Sequence, residues 1–476
     1  MPDLDTFLTA FCSKINDAIV KGKRIIVVTH TDADGIVSGS IVGKAMLRMG
    51  GRCIVRCVSD LTPVLLKELT SQDYEFYIFT DLGAGLTHAI SEYIPDGDKE
   101  WVVIDHHQLP DDEYDDDRVC NAWKFGIDGG KEASAGTMAY KVATVLDSTN
   151  KDLSTLAVVS MLADRQDQGE RKSLLGLNSE VADEARELGL LDIDIDLMLV
   201  NRETRAVHEA LAYTSYPYID GLTWNVDACY SLLTAAGIRL KDDGRWRVPA
   251  ELSNDEKSAI IDAIARFLSI SSNSKADTIL DELVGYVYTL VREDGRSMLR
   301  DAREFGNLLN ATARIGKSGV GIGICLGDRG SMLREGEVIV NEYRKTLRHY
   351  ITSIMNNERW RVNDDGKLVI INGDALIMQD MLGAVSSLLS GSQVFQGRIL
   401  IVKTRTSDGT YKFSARKCIN CSTDINLGLL MRECSSACNG TGGGHDAAAG
   451  ARINSDMLDE FIKCIKDRIN RESYGT

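Results

Sequence analysis

The stretch Trp101-Val-Val-Ile-Asp105-His106-His107 decides the reading of this chain, because an apolar strand there delivers one carboxylate and two imidazoles to a single point. The same thing happens twice upstream. Arg24-Ile-Ile-Val-Val-Thr29 runs into His30-Thr-Asp32-Ala-Asp34-Gly35, and Tyr77-Ile-Phe-Thr80 runs into Asp81. Asp164 closes a further apolar run, Leu156 to Leu162, within Ala163-Asp164-Arg165-Gln166-Asp167. In an open parallel sheet the functional crevice lies beyond the carboxyl ends of the strands, so these residues are expected to meet there. A lone aspartate after a strand is ordinarily a turn former or a helix N-cap. Four such placements in order point to metal.

The donor types fit one chemistry. Two divalent ions about 3.5–4 Å apart activate a water and stabilise both the attacking and the leaving oxygen of a phosphoryl displacement. Aspartate and histidine supply hard and borderline donors without thiolates, which suits Mn²⁺ or Mg²⁺ rather than structural zinc.

Outward from these strands, apolar runs at 24–29, 53–58, 76–80 and 101–104 alternate with helical patterns at 36–49, 62–69 and 86–93. That alternation predicts βαβ crossovers and an α/β, doubly wound, mostly parallel sheet. Gly35 opens the first crossover helix, and Gly136 to Ala143 starts a helix leading toward the one that ends at Asp164. Near 237 the pattern changes. Ser253-Asn-Asp-Glu256 is a capping box ahead of the amphipathic run Ile260, Ile261, Ile264, Phe267 and Leu268, and Tyr286 to Val291 reads as a strand. Residues 331–356 read as one long helix with Ile339, Tyr343, Leu347, Ile351 and Ile354 on one stripe. Strands are expected again at 367–372, 398–403 and 411–416. The expected division is a catalytic domain at 1–236, an inserted α+β module at 237–300, a return to the catalytic domain at 301–328, a connecting helix at 329–360 and a smaller α/β domain at 361–476.

With 476 residues the chain has room for two or three domains. It has no apolar run long enough to span a bilayer, and its acidic start lacks the basic opening of a signal peptide. Eleven scattered cysteines, an odd number, point to a reducing, cytoplasmic compartment. The net charge of −16 means that any nucleic acid must be held by a local groove. Asp111 to Asp117, rich in acid, reads as a solvated loop rather than a metal trap.

Taken together, His30-Thr-Asp-Ala-Asp-Gly35, Asp81, Asp105-His-His107, Ala163-Asp-Arg-Gln-Asp167, Asn310-Ala-Thr-Ala-Arg314 and Gly442-Gly-Gly-His445 with Ala447-Ala-Ala-Gly450 resemble the DHH phosphoesterase superfamily. Within it the chain resembles the archaeal RecJ-like single-strand exonucleases, the branch that includes the GINS-associated nuclease. Pro217 to Thr223 also looks like that branch. The resemblance implies that Asp32 binds a first ion, Asp34 a second, and that Asp81 bridges them. His106 and Asp164 would complete the coordination of the second ion, and His30 joins the metal set. His107 would face the scissile phosphate, with Asp105 orienting a histidine. The chain departs from the family at Ala163, where a glycine is expected before Asp164.

The same resemblance makes 361–476 a DHH-associated domain that binds phosphate. Glycines permit close approach of backbone N–H groups to an anion, so Gly442, Gly443, Gly444 and His445 are expected to form a cradle, with Ser414 and Arg416 gripping the nucleotide. Arg314 and Lys317 would extend the positive track. Cys418 and Cys421, with Cys434 and Cys438, have knuckle-like spacing, but buried or free thiols are expected rather than zinc. His88, His208 and His349 read as ordinary surface or core residues. The implied activity is a two-metal exonuclease, Mn²⁺ preferred and Mg²⁺ accepted, that trims single-stranded DNA or RNA, 5′ to 3′, threading it between catalytic and C-terminal domains during replication or repair. The implied partner is the GINS complex, bound by the module at 237–300. The alternatives are a phosphodiesterase for short oligonucleotides or cyclic dinucleotides, and a helicase scaffold.

Overall fold

The computed structural model describes residues 3–95, 97–270, 276–357 and 360–473. The polar link at 271–275 inside the expected module lies outside them. The chain divides into two units, Met1–Val340 and Asn341–Thr476.

The first unit opens with α1 (Leu4–Val20), β1 (Arg24–His30), α2 (Ala33–Arg48), β2 (Arg52–Val58), α3 (Pro63–Ser71), β3 (Phe76–Thr80), α4 (Thr87–Tyr93), β4 (Glu100–Asp105) and β5 (Val119–Asn121). All five strands pair in parallel, in the order β2-β1-β3-β4-β5. The chain therefore reverses its direction of winding between β1 and β3, which is where an open parallel sheet forms its crevice. β1, β3 and β4 are continuous apolar runs because helices cover both faces. On one face Val28, Leu66, Tyr77, Phe79, Ile90 and Val103 form a core with α3 and α4. α2 packs on the other face and is buried along most of its length. Small residues make that approach feasible: a Cβ at Gly39 would stand 2.8 Å from the Thr29 methyl, and one at Gly43 2.7 Å from Val55.

The acidic segment after β4 is exposed at Asp111, Asp112, Asp115 and Asp117, but Glu113 is buried. Its carboxylate accepts hydrogen bonds from Gly85 N (2.7 Å) and Thr87 N (3.0 Å), anchoring the start of α4.

Next come α5 (Ala135–Leu146), α6 (Ser154–Ala163) and α7 (Gly176–Glu187). The run Leu156 to Leu162 is thus helical, and Asp164 is the C-cap of a helix rather than the end of a strand. A short run that is apolar all round does not report its period. Here it reflects burial of α6 among α2, α5 and α7.

β6 (Leu191–Leu197) leads into α8 (Val207–Tyr213), α9 (Val226–Ala235), a small hairpin of β7 (Lys241–Asp242) and β8 (Arg245–Trp246), α10 (Asn254–Ile270) and α11 (Ala276–Glu282), and β9 (Val284–Leu290) leads out. β6 and β9 pair antiparallel from Leu191↔Leu290 to Leu197↔Val284, forming a two-stranded stalk. Above it Leu211, Leu222, Leu233, Ile260, Ile264 and Leu283 share one core. That core takes in α8 and α9, so residues from Leu197 onward pack with the module rather than with the parallel sheet, earlier than the change of pattern near 237. The capping box is formed: Glu256 N donates to Ser253 Oγ (3.3 Å) and Ser253 N to Glu256 Oε2 (2.9 Å).

α12 (Ala302–Arg314) and α13 (Ser318–Leu326) return to pack on α2. α14 (Ser331–Met355) is a single helix of 25 residues.

The second unit holds β10 (Arg361–Asp365), β11 (Leu368–Asn372), α15 (Leu382–Ser390), β12 (Ile399–Arg405), β13 (Tyr411–Lys417), α16 (Leu427–Ala437), β14 (Thr441–Gly444), β15 (Ala448–Ile453) and α17 (Leu458–Ser473). Its sheet runs β10-β11-β12-β13-β15-β14, with only β11 and β12 parallel. Ile401, Phe413, Met431 and Phe461 fill one face beneath α16 and α17, and Val369, Val385, Leu400 and Val402 the other beneath α15. The glycine run forms the edge strand β14. Cys434 is joined to Cys464 by a disulfide, and Cys418 belongs to the core on the opposite face from Cys438, so the four cysteines do not converge on a zinc site. This pairing departs from the expectation of free or buried thiols throughout. No helix among the described residues is long and apolar enough to cross a membrane.

Candidate metal centre

Each donor is fixed by the element that carries it. His30 ends β1. Asp32 is the N-cap of α2: its Oδ1 accepts from Gly35 N at 2.9 Å, leaving Oδ2 3.0 Å from His30 Nδ1. The turn needs glycine at 35, where a Cβ would lie 2.3 Å from the His30 carbonyl oxygen. Asp34 is buried at the start of α2 and pinned against the N-terminus of α5, accepting from Ala135 N (3.0 Å) and Gly136 N (2.9 Å) and from the Ser160 hydroxyl. Gly136 is again the only residue that fits, since its Cβ would stand 2.1 Å from Ser160 Oγ.

Asp81 follows β3 directly, with φ at +57° and 3 % exposure. An aspartate in the left-handed region is held there by its surroundings. Its Oδ2 stands 3.5 Å from His30 Nδ1, and its Oδ1 3.3 Å from His106 Nε2. Oδ2 is buried without a hydrogen-bond partner among the described residues.

His106 Nδ1 lies 2.6 Å from the Gly129 carbonyl oxygen, and against a carbonyl it must donate. Nε2 is thereby directed at Asp81 and, at 3.5 Å, at Asp34 Oδ2. Asp164 Oδ2 sits 3.9 Å from the same ring and accepts from Gln166 Nε2 at 2.8 Å. Two donor groups result, His30–Asp32–Asp81 and Asp34–His106–Asp164, with ligand atoms within 4.8 Å of one another in each. Asp81 turns one oxygen to either group.

Asp105 joins a third such cluster, but its oxygens are already committed. They accept from Ala84 N (2.9 Å), His106 N (2.7 Å), His107 N (3.2 Å) and His107 Nδ1 (2.8 Å). Asp105 therefore orients His107, whose side chain is 58 % exposed.

The electrostatics show how strongly the cluster attracts positive charge. Burial, then the neighbouring Asp32 and Asp34, push Asp81 up to about 7. Desolvation and Asp34 raise Asp164 to about 6. Burial opposes a charge on His30, yet Asp32 and Asp81 outweigh it and lift the ring to about 11. His106 is likewise raised against its burial by Asp81 and Asp34. The hydrogen bond that His107 donates to Asp105 raises its ring to about 9. A buried, unpartnered carboxylate oxygen between two Asp/His groups is the donor set that two divalent cations require, so the residues present fit them.

Several positioning residues escaped the sequence reading. Gln166 Nε2 bonds both the Gly129 carbonyl (2.8 Å) and Asp164, while its Oε1 accepts from Asn178 (2.6 Å). Its place two residues after Asp164 was the only signal. Gly129 itself has no room for a Cβ, which would lie 1.9 Å from the His106 oxygen. Asn310 Oδ1 accepts from Ala33 N at 3.2 Å, beside Asp32.

In the second unit Ser414 Oγ lies 2.8 Å from Ser386 Oγ, and Arg416 Nε donates to Ser387 Oγ at 3.2 Å. Ser414, Gly450 and Gly443 are direct neighbours across β13, β15 and β14, so they share a face. A Cβ at Gly443 would touch nothing within 4 Å, whereas one at Gly442 would meet the Met431 oxygen at 2.6 Å and one at Gly444 the Ala448 oxygen at 2.5 Å. Gly442 and Gly444 thus serve packing, and Gly443 leaves open surface beside Ser414. His445 is exposed in the hairpin turn. In the first unit Arg314 ends α12, and Lys317 is paired with Glu335 at 2.8 Å.

Three family models divide the chain along these lines: the DHH family N-terminal domain over residues 24–164, the DHH-CID domain over 199–284 and the DHHA1 domain over 366–471. These three segments match DHH-family domains, and the fold is RecJ-like. It is 27% identical over 457 residues to an uncharacterized protein of Methanocaldococcus jannaschii, covering 94% of each chain. RecJ of Thermus thermophilus in complex with Mn²⁺ superposes with a TM-score of 0.59 at 15% identity, over 98% of this chain and 55% of that one, so this chain spans about half of its length. CDC45 from Entamoeba histolytica gives 0.64 at 12% identity, over 96% and 98%. Within the DHH framework, the strand-end donors lie in the N-terminal domain. The DHH-CID segment coincides with the module raised on the β6–β9 stalk, and the DHHA1 segment with the second unit.

Proposed function

We propose that this chain is a two-metal phosphodiesterase, preferring Mn²⁺ and accepting Mg²⁺, that removes nucleotides from the 5′ end of single-stranded DNA, and of RNA, in replication or repair. The observation that carries this reading is Asp81, buried and strained, with one oxygen toward His30 and Asp32 and the other toward His106, near Asp34. The fold likeness to RecJ with Mn²⁺ supports it.

His30, Asp32 and Asp81 would hold one cation, and Asp34, Asp81, His106 and Asp164 the other. Bound there, the pair supplies a polarised water and neutralises charge on the phosphate. The protein's own groups do the rest. Asp81 fixes the spacing of the two positions because neither its backbone nor its buried side chain can swing. Gly129 and Gln166 hold His106 and Asp164 in place, as outer partners of metal ligands do. Asp105 locks His107 with Nδ1 as donor and raises its ring to about 9, so Nε2 of this exposed side chain would give its proton to the leaving 3′ oxygen. Ser414 and Arg416, with the open surface at Gly443, would grip a phosphodiester in the DHHA1 segment.

The test is single-stranded DNA and RNA, labelled at either end, digested with Mn²⁺ or Mg²⁺ and sized over time. Progressive loss of 5′ nucleotides is expected. Cleavage confined to dinucleotides or cyclic dinucleotides would replace this reading with the short-substrate one. Complete inactivity with both metals would favour a scaffold role, the second reading, to which the whole-chain fold likeness to CDC45 lends support.

A further inference from the structure

A cavity of about 150 Å³ lies in the first unit, at the ends of α2 and α6 remote from the metal donors. Lys44 is ten residues along α2 from Asp34, roughly 15 Å at 1.5 Å per residue. Thr155 and Leu156, at the N-terminal end of α6, line the same cavity, whereas Asp164 ends that helix at the metal centre. Leu290 at the foot of the stalk, Phe305 of α12 and Arg329 after α13 complete the wall.

The charges here do not cancel. Asp152 is taken by Arg48 in a two-pronged pair, 2.7 Å on each arm. Glu293 is taken by Arg329 through Nη2 (2.6 Å) and Nε (2.9 Å). Both carboxylates are thus occupied by guanidinium groups. Lys44, half-buried, makes no hydrogen bond and has no carboxylate within 4.0 Å among the described residues. Its ammonium is held below the usual lysine range by burial, then by Arg48 and Arg329, with Asp152 pulling the other way. Arg292 stands exposed at the rim. Lys44, Arg48, Arg292 and Arg329 thus meet two carboxylates here, Asp152 and Glu293, both already held by guanidinium groups, and the excess of positive charge suits an anion.

We propose that this cavity is a binding site for a phosphate monoester, with Lys44 donating to its oxygens from within and Arg292 closing over it from the rim. The ammonium offers three donors and the guanidinium a fork, which match a tetrahedral dianion. The apolar walls from Leu156, Leu290 and Phe305 exclude bulk water, which strengthens those contacts. The site is separate from the metal centre, and its occupant is free phosphate or the phosphate of a mononucleotide.

The experiment is isothermal titration of the metal-free full chain carrying Arg416→Ala, which removes the phosphate grip of the second unit, with inorganic phosphate and separately with 5′-AMP. One equivalent of phosphate should bind. Adding Lys44→Met should weaken it at least tenfold, as expected for losing a charged hydrogen bond, and Arg292→Ala several-fold. If Lys44→Met melts early, Arg292→Ala alone decides, because its side chain is on the surface. Competition by 5′-AMP assigns the occupant to nucleotides, and its failure to compete assigns free phosphate. No binding of either anion, or binding unchanged in both variants, overturns the proposal.

Discussion

Replacing Asp81 by asparagine separates what the metal centre costs the fold from what it does. Asp81 is buried between Asp32, Asp34, His30 and His106, and its carboxyl is lifted from an ordinary value of about 4 to about 7. A carboxyl raised in the folded state stabilises, relative to its ionised form, below the unfolded value. That contribution is lost as pH rises through the folded value. In metal-free protein the charge on Asp81 therefore costs on the order of 4 kcal/mol at pH 8, an upper figure because the His30 and His106 cations share in it. Asparagine keeps the shape and removes that charge. Without metal, Asp81→Asn should melt several degrees above the parent at pH 8 and close to it at pH 4–5. With Mn²⁺ the order should reverse: the parent gains stability that grows from pH 5 to pH 8 as metal replaces the proton, while the variant gains little. Cleavage should fall by about three orders of magnitude or more, corresponding to roughly 4 kcal/mol of lost transition-state stabilisation. Melting curves in EDTA and in Mn²⁺ at two pH values, with a cleavage assay, measure all of this. Equal pH dependence of the two proteins in EDTA, or substantial Mn²⁺-dependent cleavage by the variant, would refute the bridging assignment.

Asp105→Asn keeps an acceptor oxygen but removes the negative charge that raises His107 to about 9, so the alkaline limb of the rate profile should move toward about 6.5, and an unmoved limb would show that His107 is not the proton donor. Arg416→Ala should weaken single-strand binding by about 1.5–3 kcal/mol and flatten its salt dependence by roughly one counterion, as read by fluorescence anisotropy at several salt concentrations. Unchanged affinity would make Arg416 a structural residue. Replacing residues 198–283 by a short turn joins Leu197 to Val284, which already face each other across the stalk. Cleavage of short strands should stay within a few-fold; on the proposal that this module binds GINS, co-purification with GINS should be lost, whereas GINS binding by the variant with lost cleavage would assign the module to substrate.

What the sequence made legible was whatever local chemistry wrote down. β1, β3 and β4 are apolar on both faces, so their ends and the donors that follow them stood out. α14 and the capping box at Ser253 were legible for the same reason, periodicity in one case and spacing in the other. What remained hidden depends on distant partners. Gln166 bonds Gly129 and Asn178, and neither contact leaves a trace in its own neighbourhood. Cys434 and Cys464 are 30 residues apart, and an odd cysteine count gave no reason to pair them. The start of the module at Leu197 was invisible because α8 and α9 are short helices whose apolar faces could equally have met the parallel sheet.

The deeper reason the centre could be located is that its carboxylates also do structural work. Asp32 caps α2 with one oxygen, and Asp34 is held by the N-terminus of α5. Asp105 ties together the backbone after β4. Helix N-termini carry partial positive charge, which stabilises carboxylates that a cluster of like charges would otherwise expel. A helix N-cap reading and a metal-ligand reading of Asp32 are therefore not rivals, because a carboxylate has two oxygens and the turn uses only one. Asp81 is the exception that gives the centre its function. Neither of its oxygens caps a helix, one of them has no hydrogen-bond partner, and its backbone is held in a conformation that aspartate adopts reluctantly. Among these carboxylates, it is the one whose position answers to the two donor groups on either side of it rather than to the end of a helix.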